Sequence, residues 1–113
     1  MRLINQTKNT VLAEDVFIAR TPFTRIKGLL GRKDFASGQA LILDPCNSIH
    51  TFFMHFPIDV LFVDKNNKAL EALSNFNPNK VSRTYWHSRR VIELPAGTII
   101  ATNTLKNDFI QLL

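Results

Sequence analysis

Apolar residues come in short runs separated by turn chemistry, and the spacing within the runs is mostly that of strands. Val11 to Ala19 places Val11, Ala13, Asp15, Phe17 and Ala19 on one parity and Leu12, Glu14, Val16 and Ile18 on the other. With Arg2–Asn5 before it and the Gln6–Thr10 turn between, it predicts an antiparallel hairpin whose most buried part is Val16–Ile18. Gln39–Leu43 predicts a strand, as do Ile49–Met54, Ile58–Val63, Ala69–Ser74, Val91–Leu94 and Phe109–Leu112. The Asp64–Lys68 segment closes Ile58–Val63 with turn residues and makes Ala69–Ser74 its hairpin partner.

One stretch has helical spacing. Thr21 suits an N-cap and Pro22 the first helical position. Phe23, Ile26, Leu29 and Leu30 then recur on one face, and Gly31 suits the left-handed position just past the end. This predicts a helix over about 22–30, with a second, short one near 98–102. Several short strands with one clear helix predict an α+β domain, mainly β, built on a mostly antiparallel sheet or a partly closed barrel. At 113 residues, with no repeat, low-complexity stretch or linker, residues 1–113 form a single domain.

The centre of the pattern is Cys46 to Asp64, the most apolar run of the chain. It also holds the only cysteine, two of the three histidines and Asp59. Pro57 breaks or bends the ladder between its two predicted strands. In the second, Ile58, Val60 and Phe62 point one way and Asp59, Leu61 and Val63 the other. A strand apolar on both faces is interior to a sheet. A carboxylate lodged there must be paired, hydrogen-bonded or protonated. Candidate partners are His50, Arg20, Arg32, Arg89, Arg90 and backbone N–H groups near Pro57. Asp59 is therefore either a structural anchor at a loop or strand end, or a binding or catalytic group.

Composition narrows the function classes. The chain is 45% hydrophobic and 20% charged, as folded domains are. Nine Phe residues suggest a core built on aromatic packing. No apolar run is long enough to span a bilayer, and the first residues form no apolar signal region. With a lone cysteine, this predicts a cytoplasmic protein without membrane association. The net charge of +5 permits nucleic acid or acidic partners without specifying one.

Candidate chemistry follows from the same residues. Cys46 with His50 could form a thiol nucleophile and base, but four residues of extended chain separate them by about 13 Å, so the loop would have to fold back. Cys46, His50, His55 and Asp59 match no compact metal spacing, and no metal or cofactor is expected. There is no His-Glu-x-x-His, phosphate-binding glycine loop or nucleophile elbow. The stretch holding Arg83, Trp86, Arg89 and Arg90 could neutralise phosphates and stack on bases, or serve as a solvated edge.

Three blocks resemble the domain-of-unknown-function 192 family. Lys27-Gly28-Leu29-Leu30-Gly31-Arg32 resembles its Gly-Leu-Met-Gly-Arg helix end. Ile49–Asp64 resembles its central Met…Leu-Asp-x-x-Phe block, and Val91-Ile92-Glu93-Leu94-Pro95-Ala96-Gly97 its Leu-Glu-Leu-x-Ala-Gly block. Lys106-Asn107-Asp108 stands where Val-Gly-Asp is usual. His50, Phe53 and His55 depart from the Trp-Met-Lys-Asn that many members carry. The resemblance implies a compact, mainly β, barrel-like domain and no established activity. The leading expectation is a non-catalytic domain for a small ligand or protein, its site formed where Arg32, the Asn47–His50 loop, Met54 and Asp59 converge. Alternatives are a small hydrolase or transferase using His50 with Asp59 or Cys46, and a nucleic-acid accessory protein using residues 83–90.

Overall fold

A computed structural model describes residues 1–29 and 32–113. The strands are β1 (Leu3–Asn5), β2 (Thr10–Ala13), β3 (Asp15–Ala19), β4 (Gln39–Leu43), β5 (Ile58–Asp64), β6 (Ala69–Phe76), β7 (Ser88–Pro95) and β8 (Ile110–Leu112). The helices are α1 (Pro22–Lys27) and α2 (Thr98–Ala101). Five strands form one sheet in the order β3-β4-β7-β5-β6, and three form a second in the order β2-β1-β8. All pairings are antiparallel except β3 with β4. The two sheets do not close into a barrel.

The alternation in β5 sorts the interior into two layers. Leu61 and Val63 join Ile42, Ile92 and Leu94 against Leu3, Leu12 and Ile110 of the small sheet. Val60 and Phe62 join Leu41, Leu43 and Val91 on the opposite face, beneath Leu29, Ile49 and Met54. β5 has a partner on each side, β6 and β7, which is why its polar interruptions are so few.

Several expectations give way. The hairpin predicted between residues 2–5 and 11–19 forms only in its first part: β2 pairs with β1, whereas β3 crosses to the other sheet and runs parallel to β4. As an edge strand β3 leaves Phe17 exposed, so Val16–Ile18 is not its buried part. Five of the nine Phe side chains (17, 23, 52, 53 and 109) are exposed and Phe62 alone is fully buried, so aliphatic packing dominates the core. Ile49–Met54 is not a strand. Its pairing is confined to a bridge from His50 to Val81, and Phe53, at φ 65°, turns the chain away. Buried Thr51 holds this segment instead: its backbone N–H donates to Lys80 O, and its Oγ1 donates to Asn77 O and accepts from Lys80 N.

The first helix starts where expected. Thr21 caps it, with reciprocal bonds to Thr24, and Pro22 opens it. It ends early, at Gly28, whose φ of 43° lets its N–H bond Thr24 O; Leu30 and Gly31 lie outside the described residues. No residue of α1 is buried; of the predicted apolar face, Phe23 and Ile26 are exposed, whereas Leu29, just past the helix, is buried. Short and set beside β4 rather than sunk into the core, α1 is flanked by two cavities.

Candidate functional site

Glu93 lies on β7, the middle strand of the large sheet, in register with Leu41 on one side and Val60 on the other. Cross-strand partners share a face, so its side chain enters the layer beneath α1 and the 46–56 segment. It is 5% exposed, and its Oε2 has no hydrogen-bond partner. Burial pushes its pKa up to about 8, so at neutral pH the protonated, uncharged acid is the main form.

A cavity of about 270 Å³ opens over this carboxyl, walled by α1 on one side and the Cys46–Met54 segment on the other. Arg25 enters from α1. Its Nη1 donates to Pro45 O at 3.0 Å, while its Nε is buried without a partner. Among the described residues, Glu93 Oε2 and Arg25 Nε are the two buried side-chain polar atoms left unpaired. Both residues line this one cavity, whose remaining surface is largely apolar through Ile26, Leu29, Leu43, Ile49 and Met54.

The five predicted site residues divide between places. His50 and Met54 line the cavity: Met54 is buried in the floor layer, and His50 stands exposed at the rim, stacked on Phe52 with ring centres 5.3 Å apart. Asn47 faces an adjoining shallow hollow shared with Arg25 and Ser88. Arg32 borders the second cavity on the far side of α1, where it packs over Phe35 and donates to Gln39 Oε1 at 3.3 Å.

Asp59 is apart from all of them. Paired with Leu94, it faces the opposite layer from Glu93. Its Oδ1 accepts from Asn75 N at 2.8 Å, and its Oδ2 from Gly97 N and Ile99 N at 3.1 and 2.8 Å. None of the side chains named above as candidate partners is among these donors, and the N–H groups lie on β6 and α2 rather than near Pro57. A register shift in β6 opposite Asp59 frees the Asn75 N–H. Gly97, the N-cap of α2, has no capping side chain; Asp59 supplies that cap from across the fold.

Cys46 and His50 both line the cavity, but no hydrogen bond joins them. The thiol donates to Ser48 O at 3.0 Å, and burial pushes its pKa up, which favours the thiol over the nucleophilic thiolate. With Asp59 on the other face, it cannot join Cys46 and His50 as a metal ligand, and no group of three His, Cys, Asp or Glu comes together among the described residues. In the basic stretch, Arg89 and Arg90 both bond Asp44, Arg83 lies over the Tyr85 ring and Trp86 is exposed. No helix among the described residues is long and apolar enough to cross a membrane.

Glu93 and Arg25 were not among the residues singled out from the sequence. The signal for Glu93 was the one used for Asp59: a lone acid in an apolar strand, Val91-Ile92-Glu93-Leu94. No comparable signal marks Arg25, which reads as a solvated helix residue.

Fold and site together define a class: a two-sheet, mainly β domain with a carboxyl-floored cavity roofed by a short helix. The chain belongs to the DUF192 family, Uncharacterized ACR, whose model matches residues 3–112. A UPF0127 protein of Thermococcus sibiricus (strain DSM 12597 / MM 739) is 33% identical over 113 residues, covering 96% of this chain and 73% of that protein. A crystal structure of a protein of unknown function from Novosphingobium aromaticivorans DSM 12444 superposes with a TM-score of 0.85 at 17% identity, over 98% of this chain and 84% of that one. A proposed transcription regulator of Sinorhizobium meliloti 1021 superposes at 0.80 with 23% identity, over 97% and 89%. At these identities the two structures share the fold alone. No specific activity is established for the family.

Proposed function

We propose that this protein is a non-catalytic small-ligand binding domain whose site is the cavity between α1 and the Cys46–Met54 segment. The observation that carries this reading is the coincidence of the two unpaired buried polar atoms, Glu93 Oε2 and Arg25 Nε, around one concave, largely apolar cavity. A buried polar group without a partner costs about 1–3 kcal/mol. Two such groups around one opening are what a site built to hydrogen-bond a ligand looks like before the ligand arrives. Met54 and His50 belong to this site. Asn47 borders it, Arg32 belongs to the neighbouring cavity, and Asp59 keeps the fold.

The test is a thermal-shift screen of anionic, neutral and cationic metabolite-sized compounds against the native chain, Glu93→Met and Phe23→Ala. Compounds that raise the melting temperature of the native chain and of Phe23→Ala more than that of Glu93→Met are expected. A screen in which every stabilising compound acts equally on Glu93→Met rejects the site.

A further inference from the structure

Resting on that reading of the cavity, we propose that its ligand is a small monocarboxylate with an apolar body and one uncharged hydrogen-bonding group. The carboxylate meets the Arg25 guanidinium, the second group meets the Glu93 carboxyl, and the body lies against Ile26, Leu43 and Met54.

Charge selects the anion. The ionisable groups lining the cavity are Arg25 and Lys27 from α1, Cys46 and His50 from the facing segment, and Glu93 from the floor. The strands beside Glu93 contribute Leu41 and Val60 at its level, which carry no charge. At neutral pH, Glu93 is mainly protonated and Cys46 is a thiol. The lining then carries two cations and no full anion.

An ammonium ligand would face both cations and could pair only by ionising Glu93 against its burial. A doubly charged phosphate would bring two charges onto apolar walls with one guanidinium inside to meet them. A carboxylate matches the planar fork of a single Arg. A protonated Glu93 is a hydrogen-bond donor as well as an acceptor, so it suits a carbonyl or hydroxyl on the ligand. Size agrees. Even at the ~30 Å³ that a whole water molecule occupies in the liquid, about nine non-hydrogen atoms fit within the 270 Å³ cavity. That is the size of a branched-chain oxo acid.

The proposal is tested by NMR titration of the full chain at pH 7 with four probes: 4-methyl-2-oxopentanoate, 4-methylpentanoate, 3-methylbutylamine and inorganic phosphate. Both carboxylates are expected to shift the Arg25 side-chain N–H and the Met54 methyl signals. The oxo acid should bind about 5–10-fold more tightly, the worth of one added hydrogen bond. Glu93→Met should abolish that difference while the plain acid still binds. Arg25→Gln should weaken both acids, and Arg25→Lys should weaken them less.

Cavity shifts caused by the amine or by phosphate, and not by the carboxylates, would overturn the ligand class while leaving the cavity as the binding site. Silence of all four probes would also overturn it. The site itself then stands or falls on whether the compound screen yields a Glu93-dependent binder.

Discussion

Two carboxyl groups are buried back to back in the same sheet, and they are treated in opposite ways. Asp59 and Glu93 sit on neighbouring strands, β5 and β7, and each interrupts an apolar run. Asp59 faces the small sheet and α2, where three backbone N–H groups converge on it. Glu93 faces α1, where no donor meets its Oε2 and a cavity opens instead. Burial alone therefore does not decide whether an acid is built into the fold; the satisfaction of its lone pairs does. The first acid joins β6 and α2 to the core. The second is held uncharged beside an opening that a ligand could complete.

The contrast breaks most visibly at Asp59. Asp59→Ala leaves three N–H groups without their acceptor, and at about 1–3 kcal/mol each the loss should reach about 4–6 kcal/mol. For a domain of ordinary stability that is much of the folding free energy, so poor soluble yield and a steep fall in melting temperature are expected. A loss below about 1 kcal/mol would show that Asp59 anchors nothing.

Next in size is the pH response of Glu93. Its carboxyl titrates near 8 in the folded chain, against 4.5 for the free group. Between those values the folded state holds a proton that the unfolded state has released. Stability must then fall as pH rises from about 4.5 to about 8, and level off above. At about 1.4 kcal/mol per pH unit, the change approaches 3–5 kcal/mol across the window. Urea melts of the native chain and of Glu93→Gln at pH 5 and pH 8 isolate it, because all other titrating groups are common to both. Parallel pH profiles for the two proteins would contradict the burial argument.

The smallest effect is also the most telling. Glu93→Met removes the unpaired carboxyl with little change of side-chain length, so at about pH 5, where little of the titration cost applies, the unliganded protein should gain about 1–2 kcal/mol. The equivalent change at Asp59 should only destabilise. A variant that is more stable yet binds its ligand less tightly marks a group kept for binding rather than for folding. A destabilised Glu93→Met would mean that the carboxyl makes a contact the fold needs.

Much of the architecture was legible in the chain itself. Short apolar runs bounded by turn residues placed β4, β5, β6 and β7 within a few residues, and Thr21-Pro22 placed the start of α1. The parity of β5 correctly assigned Val60 and Phe62 to one layer and Leu61 and Val63 to the other. It also said that Asp59 needed partners. It could not say which, because Asn75, Gly97 and Ile99 lie 16 to 40 residues away and offer backbone N–H groups that every residue type except proline carries.

The candidate site was less legible. His50 and Met54, named from the sequence as candidate site residues, both line the cavity. Glu93 escaped notice although its strand carried the same signature as that of Asp59. Ile49–Met54 looked like a strand because its side chains are bulky and apolar, but a strand also needs a partner ladder, and Thr51 and Phe53 take this backbone elsewhere.

Local composition thus determined which segments extend, which one coils into a helix and which positions are apolar, since those preferences act between near neighbours. Tertiary structure alone decided which buried acid is satisfied, which is left open, and that Arg25 and Glu93, 68 residues apart in a chain whose numbering gives no hint of it, border the same cavity. The reason is physical: hydrogen bonding and desolvation depend on what comes to lie opposite a group, and only the packed sheets determine that.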